Sequence, residues 1–566
     1  MFTHPVAVWG SDAVFSVVTM QKSTGDAPST GNSTPRNEGP PGAGLSALPV
    51  VCMEVCVTSL ASESGPVLRI SPGSALRLRD VDRVREPMRI LIDENVRDRI
   101  HTCRDFVFRS LESGRAVYGA TTGFGPLVGF RGRETTTEQC ENALNHLVAG
   151  QGADLEPSVV RAAMLVRLRS LCQGRSGVSL DVVEGLAHAL NTTFAPAVPS
   201  LGSLGASGDL IPLAYLARAL QGHGHAYADG ERLTAGEALA RLGLKPVRLD
   251  GRDALALVNG TSLTAGAGAL AVSSLRRSLH SALLLVALLV DVLGCSAAFA
   301  DAGLLTAFGH PHVALAGERL NRLLKGLVPS GTRGLQEPYS IRCAPQLIGA
   351  AASSVEHCAA VMHDDINAVS DNPLFFAEQE MIAHGGNFFG QPAAFSGDAL
   401  ALTAVQLGNL AERQLDLLID PRRNGDLPPM LAPEPGRQHA LQGVQLAATA
   451  VIASMRRAAT PASAQSLPTN LHNQDVVPFG TQAALNALDL AMKLRLLHGS
   501  LAVALRQAAH VGTRKPTAPL CAQALDVISE EIPPIDRDRP LDADVRRAAA
   551  LLDGMAGTEP TDGEDL

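Results

Sequence analysis

The hexapeptide Gly205-Ala206-Ser207-Gly208-Asp209-Leu210 can do chemistry that no ordinary side chain supplies. Gly208 has no Cβ, so its amide nitrogen can approach the carbonyl carbon of Ala206 in a strained turn. Ring closure there with loss of one water gives an imidazolone, and loss of a second water from the Ser207 hydroxyl leaves an exocyclic methylidene. The product, 4-methylidene-imidazol-5-one, is electron-poor, accepts an amine and forms autocatalytically from Ala206, Ser207 and Gly208 with no external cofactor. The same residues also read as a helix start. Ser207 or Asp209 would be the N-cap, Pro212 would lie in the first turn, and Leu213, Leu216, Ala217 and Leu220 would form the apolar stripe. The two readings are compatible, because a reactive group at a helix N-terminus sits at the positive end of the dipole.

Other side chains suit the binding of an amino acid. Arg342 can make two parallel hydrogen bonds to a carboxylate and stays charged. Gln336, Tyr339 and Arg342 are spaced by three, so a helix there would place them on one face, and Asn470 and Gln474, four apart, would share a helical face as well. His472, between those two, would point elsewhere and reads as structural. Tyr118 stands before a glycine-rich stretch, Gly119 to Gly125. By itself such a tyrosine is a packed ring with a solvent-facing hydroxyl. A lone histidine such as His146 is equally a satisfied core residue, and Phe388 alone would be core.

Motifs spread along the chain change that balance. VYGATTGFGPL begins at Val117, APAVPSLGSLGASGDLIPLA at Ala195 and RDALALVNGTS at Arg252. EPYSIRCAPQLIGA follows from Glu337, NAVSDNPLFF from Asn367, HGGNFFGQ from His384 and NQDVV from Asn473. In this order they resemble the aromatic amino acid ammonia-lyase and aminomutase family, and the bacterial tyrosine-specific lyases in particular, from about residue 66 to the C-terminal region.

The resemblance implies that Ala206, Ser207 and Gly208 form the methylidene-imidazolone. It makes Tyr118 the base that removes the β-proton, which requires a phenol pKa below its usual ~10. It assigns Tyr339 to the catalytic set and Arg342 with Gln336 to substrate binding. Asn259 and Asn372 become polar contacts to ring and substrate, and Phe388 the aromatic beside the ring. Asn470 and Gln474 become the tyrosine-lyase form of a variable pair. His146-Leu147 resembles the tyrosine-selective signature, in which the histidine meets the phenolic hydroxyl, so that a substrate lacking it leaves a polar group unpaired. Asn145 and Gln151 depart from the tyrosine-lyase pattern and leave room for a ring-hydroxylated tyrosine.

The elements that must position these groups are read from periodicity and composition. The 566 residues, rich in alanine and leucine with 4% aromatics, recur at helical spacing and point to a mainly α protein with closely packed small residues. The expected layout is an N-terminal extension over residues 1–65, rich in Ser, Thr, Gly and Pro, and a catalytic unit over 66–566. Within that unit an α/β portion carries the reactive loop to about residue 250, and a bundle of long helices follows. Helices are expected over Leu255 to Cys295, Gln346 to Asn367, Gly397 to Leu418 and Ala440 to Arg457. The family implies a homotetramer whose active sites draw on more than one chain.

A net charge of −9 disfavours nucleic acid as a partner. The apolar run Ala282 to Val290 is too short to span a bilayer, which takes roughly 20 residues. The nine cysteines show no zinc-type clustering, and reduced cytoplasmic thiols are the plain reading, with no metal site. The expected reaction is elimination of ammonia from L-tyrosine to give trans-4-coumarate. Tyrosine 2,3-aminomutation, a histidine or phenylalanine lyase, and a catalytically dead scaffold are the alternatives. The complete set of Tyr118, Ser207, Asn259, Tyr339 and Arg342 speaks against the last. The Thr121 to Gly125 stretch, with two glycines, is expected to open readily and so to favour release of product over re-addition of the amine.

Overall fold

Alanine, leucine and glycine at helical spacing build a helical bundle. The computed structural model describes residues 67–557; the proposed extension over 1–65 and most of the acidic C-terminal stretch lie outside them. Long helices span Ser262–Leu293, Ala344–Asn367, Gln391–Ile419 and Gly480–Val511. The Gly480–Val511 helix packs along both Gln391–Ile419 and Ser262–Leu293, and Gln442–Ala458 lies against Gly480–Val511 and Gln391–Ile419. The Gly480–Val511 helix lies outside the expected set, and being buried on most sides it shows a weaker one-sided apolar period than the other three.

The N-terminal portion adds only short strands. Val67–Ile70 pairs in parallel with Arg89–Ile92, and Gln151–Asp154 pairs with Pro199–Leu201. Ala195–Pro196, His225–Ala228 and Glu231–Thr234 form an antiparallel ribbon. Helices do the packing here too: Pro157–Leu171 lies against Ser262–Leu293, and one apolar core runs from Ile70 to Leu552. The run Ala282 to Val290 lies inside the Ser262–Leu293 helix and is buried, Leu284 excepted. Its apolarity is that of a core helix.

Two helix boundaries differ from the periodic reading in a way that matters for the site. The expected continuous helix from Leu255 is two helices, Asp253–Val258 and Ser262–Leu293, separated at Asn259-Gly260-Thr261. The Gly260 carbonyl accepts from the Asp209 amide at 2.7 Å and so is given to another segment instead of to the helix. Thr261 is held by Ser370, whose Oγ accepts from the Thr261 amide at 2.8 Å. Periodicity cannot register such a break, because the apolar positions continue across it.

Close approach of helices depends on absent side chains. A Cβ on Gly397 would stand 2.7 Å from the Ala483 carbonyl carbon on the facing helix, well inside van der Waals contact. Gly397→Ala is therefore expected to destabilise the protein by about 1–3 kcal/mol through overpacking. The check is the midpoint of denaturant unfolding, and an unchanged midpoint would mean that the two helices separate freely.

Candidate active site

The site is assembled where helices begin. Leu210–Leu220 starts immediately after the reactive loop, with Asp209 in the N-cap position at φ −96 and ψ 49. Its carboxylate does not cap its own helix. Oδ2 accepts from the amides of Leu263 and Thr264, both at 2.9 Å, at the start of Ser262–Leu293. Oδ1 accepts from the hydroxyls of Ser203 (2.8 Å), Thr264 (2.8 Å) and Thr481 (2.6 Å), and Thr481 opens the Gly480–Val511 helix. The amide of Gly390, which precedes Gln391–Ile419, donates to the Gly205 carbonyl at 3.0 Å. Four helix N-termini thus converge on Gly205 to Asp209, each contributing positive potential where negative charge would develop.

Gly208 meets the requirement for ring closure. Its φ is 73°, in the left-handed region, and a Cβ would lie 2.5 Å from the Gly260 oxygen and closer still to its nitrogen. Only glycine fits. The Gly208 amide donates to the Phe388 carbonyl at 2.9 Å, and Ala206 is buried among Val477 and Phe479. Asn259 Nδ2 donates to the Ser207 carbonyl at 3.4 Å, the oxygen that an imidazolone made here would carry as its ring carbonyl. Asn259 Oδ1 is buried without a partner among the described residues, and so is available to an ammonium group. These residues fit the self-formed group: a strained glycine with no space for a side chain, a serine facing a cavity, and an amide placed on the carbonyl.

The cavity, about 800 Å³, is lined by Tyr118, Ser207, Asn259, His146, Leu147, Asn470 and Gln474, with Phe124, Leu210 and Val258 as its apolar wall. Its size suits a small aromatic ligand. Tyr118 Oη accepts from the Gly125 amide at 2.8 Å and its ring meets Phe124 edge-on at 6.2 Å. Phe124 in turn stacks on the His146 ring at 5.7 Å. His146 Nδ1 lies 2.9 Å from the Asn142 carbonyl, which can only accept, so in the neutral ring Nδ1 carries the proton and Nε2 is an acceptor.

Several sequence expectations are corrected. Asn470 and Gln474 do line the cavity, but from a left-handed turn, not a helix. Asn470, Leu471 and His472 have φ of 58°, 54° and 60°, and Thr469 and Gln474 exchange backbone hydrogen bonds across it. His472 is exposed on that turn. Gln336, Tyr339 and Arg342 do not all share one helical face: Tyr339 and Arg342 lie on one short helix and Gln336 precedes it. The helix there spans only Tyr339–Arg342, because Pro338 precedes it and Glu337 is engaged by Arg333 at 2.9 Å. None of the three lines the cavity of the single chain; the Arg342 guanidinium covers the exposed Tyr339 ring at 4.5 Å.

Asn372 also stays outside, its Oδ1 accepting from the Gly385 amide at 2.8 Å, and Phe388 contributes its backbone carbonyl instead of a cavity wall. Asn145 accepts from Arg218 at 2.9 Å, and neither it nor Gln151 borders the cavity, so they do not enlarge it. The Thr121 to Gly125 stretch is tied down. The Thr121 hydroxyl accepts from the Val117 amide at 3.0 Å, the Thr122 hydroxyl from the Gly119 amide at 3.1 Å, and Gln139 Nε2 donates to the Gly119 and Thr122 carbonyls.

Sequence reasoning missed the supports. Arg252 and Asp371 form a fully buried two-bond ion pair at 2.8 and 2.9 Å, and Arg252 also donates to the Asn372 carbonyl at 2.6 Å. Arg167, likewise buried, donates to the carbonyls of Ala256 and Ser370, fixing the turn that presents Asn259. Burial lowers its pKa to about 10, which leaves it charged at neutral pH. Arg252 and Asp371 lie inside the quoted motifs, which was the available signal.

The chain matches the family model "aromatic amino acid lyase" over residues 76–530. It is 38% identical over 490 residues to the tyrosine ammonia-lyase of Cereibacter sphaeroides, covering 82% of this chain and 93% of that protein. Against the histidine ammonia-lyase of Symbiobacterium thermophilum it is 36% identical over 487 residues, covering 85% and 96%. The solved tyrosine aminomutase from Streptomyces globisporus has the same fold, with a TM-score of 0.80 at 30% identity over 87% of this chain and 98% of that one. With that fold and those relatives, the chain is an enzyme that breaks carbon–nitrogen bonds. The chain belongs to the aromatic amino acid lyase family.

Asp209→Ala removes the acceptor of two backbone amides and three hydroxyls. With roughly 1–3 kcal/mol for each buried donor left unpaired, the expected loss is more than about 3 kcal/mol. Asp209→Asn keeps one oxygen for the amides and should lose distinctly less. Denaturant unfolding of both variants checks this, and equal losses would deny the carboxylate its joining role.

Proposed function

We propose that the protein is a tyrosine ammonia-lyase, converting L-tyrosine to trans-4-coumarate and ammonia. The observation that carries the reading is His146 on the cavity wall with Nδ1 committed to Asn142 and Nε2 left as an acceptor, which suits a phenolic hydroxyl. The methylidene-imidazolone formed from Ala206, Ser207 and Gly208 supplies an electrophile for the substrate amine. Asn259 polarises its carbonyl through Nδ2 and takes the ammonium through Oδ1. Tyr118, across the same cavity, removes the β-proton as the C–N bond breaks. Leu147 and Phe124 hold the aromatic ring, while Asn470 and Gln474 close the cavity on the side of Gly125.

Gln336, Tyr339 and Arg342 enter this reading from a second subunit of a homotetramer, where Arg342 holds the substrate carboxylate. Two facts support that: the three lie away from the cavity of their own chain, and the Arg342 Nε is buried without a partner among the described residues. Asn372 and Phe388 act in this scheme by fixing the loop that runs beside the reactive turn.

A tyrosine 2,3-aminomutase, which returns the held amine to the β-carbon, is the second reading. The tied-down Thr121 to Gly125 stretch favours it, since slow opening keeps acid and amine together. Chromatography of products from tyrosine, phenylalanine and histidine separates the readings. The lyase yields coumarate and ammonia in equal amounts, early β-tyrosine in excess would replace it with the mutase, and urocanate from histidine would move the substrate assignment.

Ser207→Ala cannot lose the second water. It is expected to fold, to lack the near-ultraviolet absorbance of the ring and to lose nearly all turnover, and wild-type activity would remove the mechanism. His146→Phe removes the acceptor and fills its space. The preference for phenylalanine over tyrosine should rise about 5- to 150-fold, as one buried hydrogen bond of about 1–3 kcal/mol dictates. Competition kinetics measure it, and an unchanged preference would exclude His146 from substrate recognition.

A further inference from the structure

Between the helices Asp253–Val258 and Ser262–Leu293 the apolar positions continue without interruption, so the break at Asn259-Gly260-Thr261 is made by hydrogen bonding. An unbroken helix would give the Gly260 amide to the Ala256 carbonyl and the Thr261 amide to the Leu257 carbonyl. Both bonds are replaced. Arg167 holds the Ala256 carbonyl through Nε at 2.9 Å and through Nη2, and the Gly260 amide turns to the Val258 carbonyl at 3.1 Å instead. Ser370 holds Thr261: its Oγ accepts from the Thr261 amide at 2.8 Å, and the two hydroxyls are 3.0 Å apart. The two replacements are joined, because Arg167 Nη1 donates to the Ser370 carbonyl at 2.7 Å. The guanidinium lies so close to the break that a Cβ on Gly260 would collide with Nη1 and stand 2.5 Å from the Ser370 oxygen.

We infer that Arg167 is a positioning residue for the elimination step, acting through Asn259: it holds the chain out of a continuous helix and thereby keeps the Asn259 amide on the Ser207 carbonyl. The inference rests on the reading of Asn259 as the group that acts on the ring carbonyl. Arg167 does not line the cavity and so reaches the chemistry only through what it holds. Asn259 has a ψ of 65°, far from the helical value of about −42°. That angle lets two contacts meet the reactive turn together, Asn259 Nδ2 on the Ser207 carbonyl at 3.4 Å and the Gly260 carbonyl under the Asp209 amide at 2.7 Å. A helical ψ would swing the Gly260 peptide relative to the Asn259 side chain and separate the two. Without Arg167 the Ala256 carbonyl is free to take back the Gly260 amide, which is the first bond of the continuous helix. Arginine suits the task because one planar fork reaches carbonyls on two different segments, whereas an ammonium is a single point.

The test measures kcat on the best substrate among tyrosine, phenylalanine and histidine, together with the near-ultraviolet absorbance of the ring. Four full-length proteins are compared: wild type, Arg167→Met, Asn259→Ala and the double variant. Arg167→Met is expected to keep the ring absorbance and to lose kcat about a hundredfold, the scale of one misplaced donor at a developing charge. In the Asn259→Ala background the same change should cost less than about threefold, because a residue that acts through Asn259 then has nothing left to position. Equal losses in the two backgrounds are what general loosening of the fold would give, and they overturn the inference. Loss of the ring absorbance along with turnover overturns it too, since Arg167 would then act on ring formation. Arg167→Lys keeps the charge without the fork; it should lose kcat at least about fivefold, and it takes the place of Arg167→Met in the cycle if that variant does not fold. Wild-type turnover in the Arg167 variants while Asn259→Ala is slow sinks this inference alone. Wild-type turnover in Asn259→Ala removes the role proposed for Asn259, and this inference with it.

Discussion

The carboxylate of Asp209 joins the reactive turn to the bundle. A buried anion is costly in a medium of low polarity, and here the cost is met by two backbone amides, three hydroxyls and the positive ends of neighbouring helices. Because those donors come from the starts of Ser262–Leu293 and Gly480–Val511, the loop cannot shift without disturbing the two longest helices. The helices themselves gain a cap that their own sequences do not provide. Site and scaffold are therefore one hydrogen-bonded object, and the strain at Gly208 is maintained by everything packed around it.

Rigidity at that point fits the proposed ring. Its closure between Gly208 and Ala206 would need the two atoms held together against the ordinary preferences of the backbone, and here the Gly260 backbone leaves no space for a side chain on Gly208 while the Phe388 carbonyl accepts from its amide. Behind them, the buried pairing of Arg252 with Asp371 and the contacts of Arg167 fix the turns on which Asn259 and Asn372 are carried. Such charges add little to stability for their burial. Their contribution here is to give a single geometry to backbone that has no regular structure.

The single chain lines one cavity with Ser207, Tyr118 and His146, while Gln336, Tyr339 and Arg342 lie elsewhere. The family resemblance placed all of them in one site, and the geometry brings together only part of that set. Exposed apolar side chains on the long helices, Phe395 and Leu402 among them, are compatible with further burial between copies.

The sequence by itself determined the helical class, the glycine-dependent turn and much of the cavity lining, since Ser207, Tyr118, His146, Leu147, Asn259, Asn470 and Gln474 all border one space. Local residue types suffice for that, because strained glycine, apolar periodicity and ordered motifs are properties of neighbouring residues. Where a residue's partner is distant, only the tertiary structure decided. The Asp209 carboxylate reads as a cap for its own helix and instead caps another one 54 residues on. Asn259 reads as part of a long helix, and the break that frees it is made by Asp209, Arg167 and Ser370. Asn470 and Gln474 read as one helical face, and three consecutive left-handed residues turn them to the same place by another route. For Asp209 and Asn259 hydrogen bonds to a remote segment outweighed a local preference of a fraction of a kcal/mol, roughly the scale on which helix propensities differ.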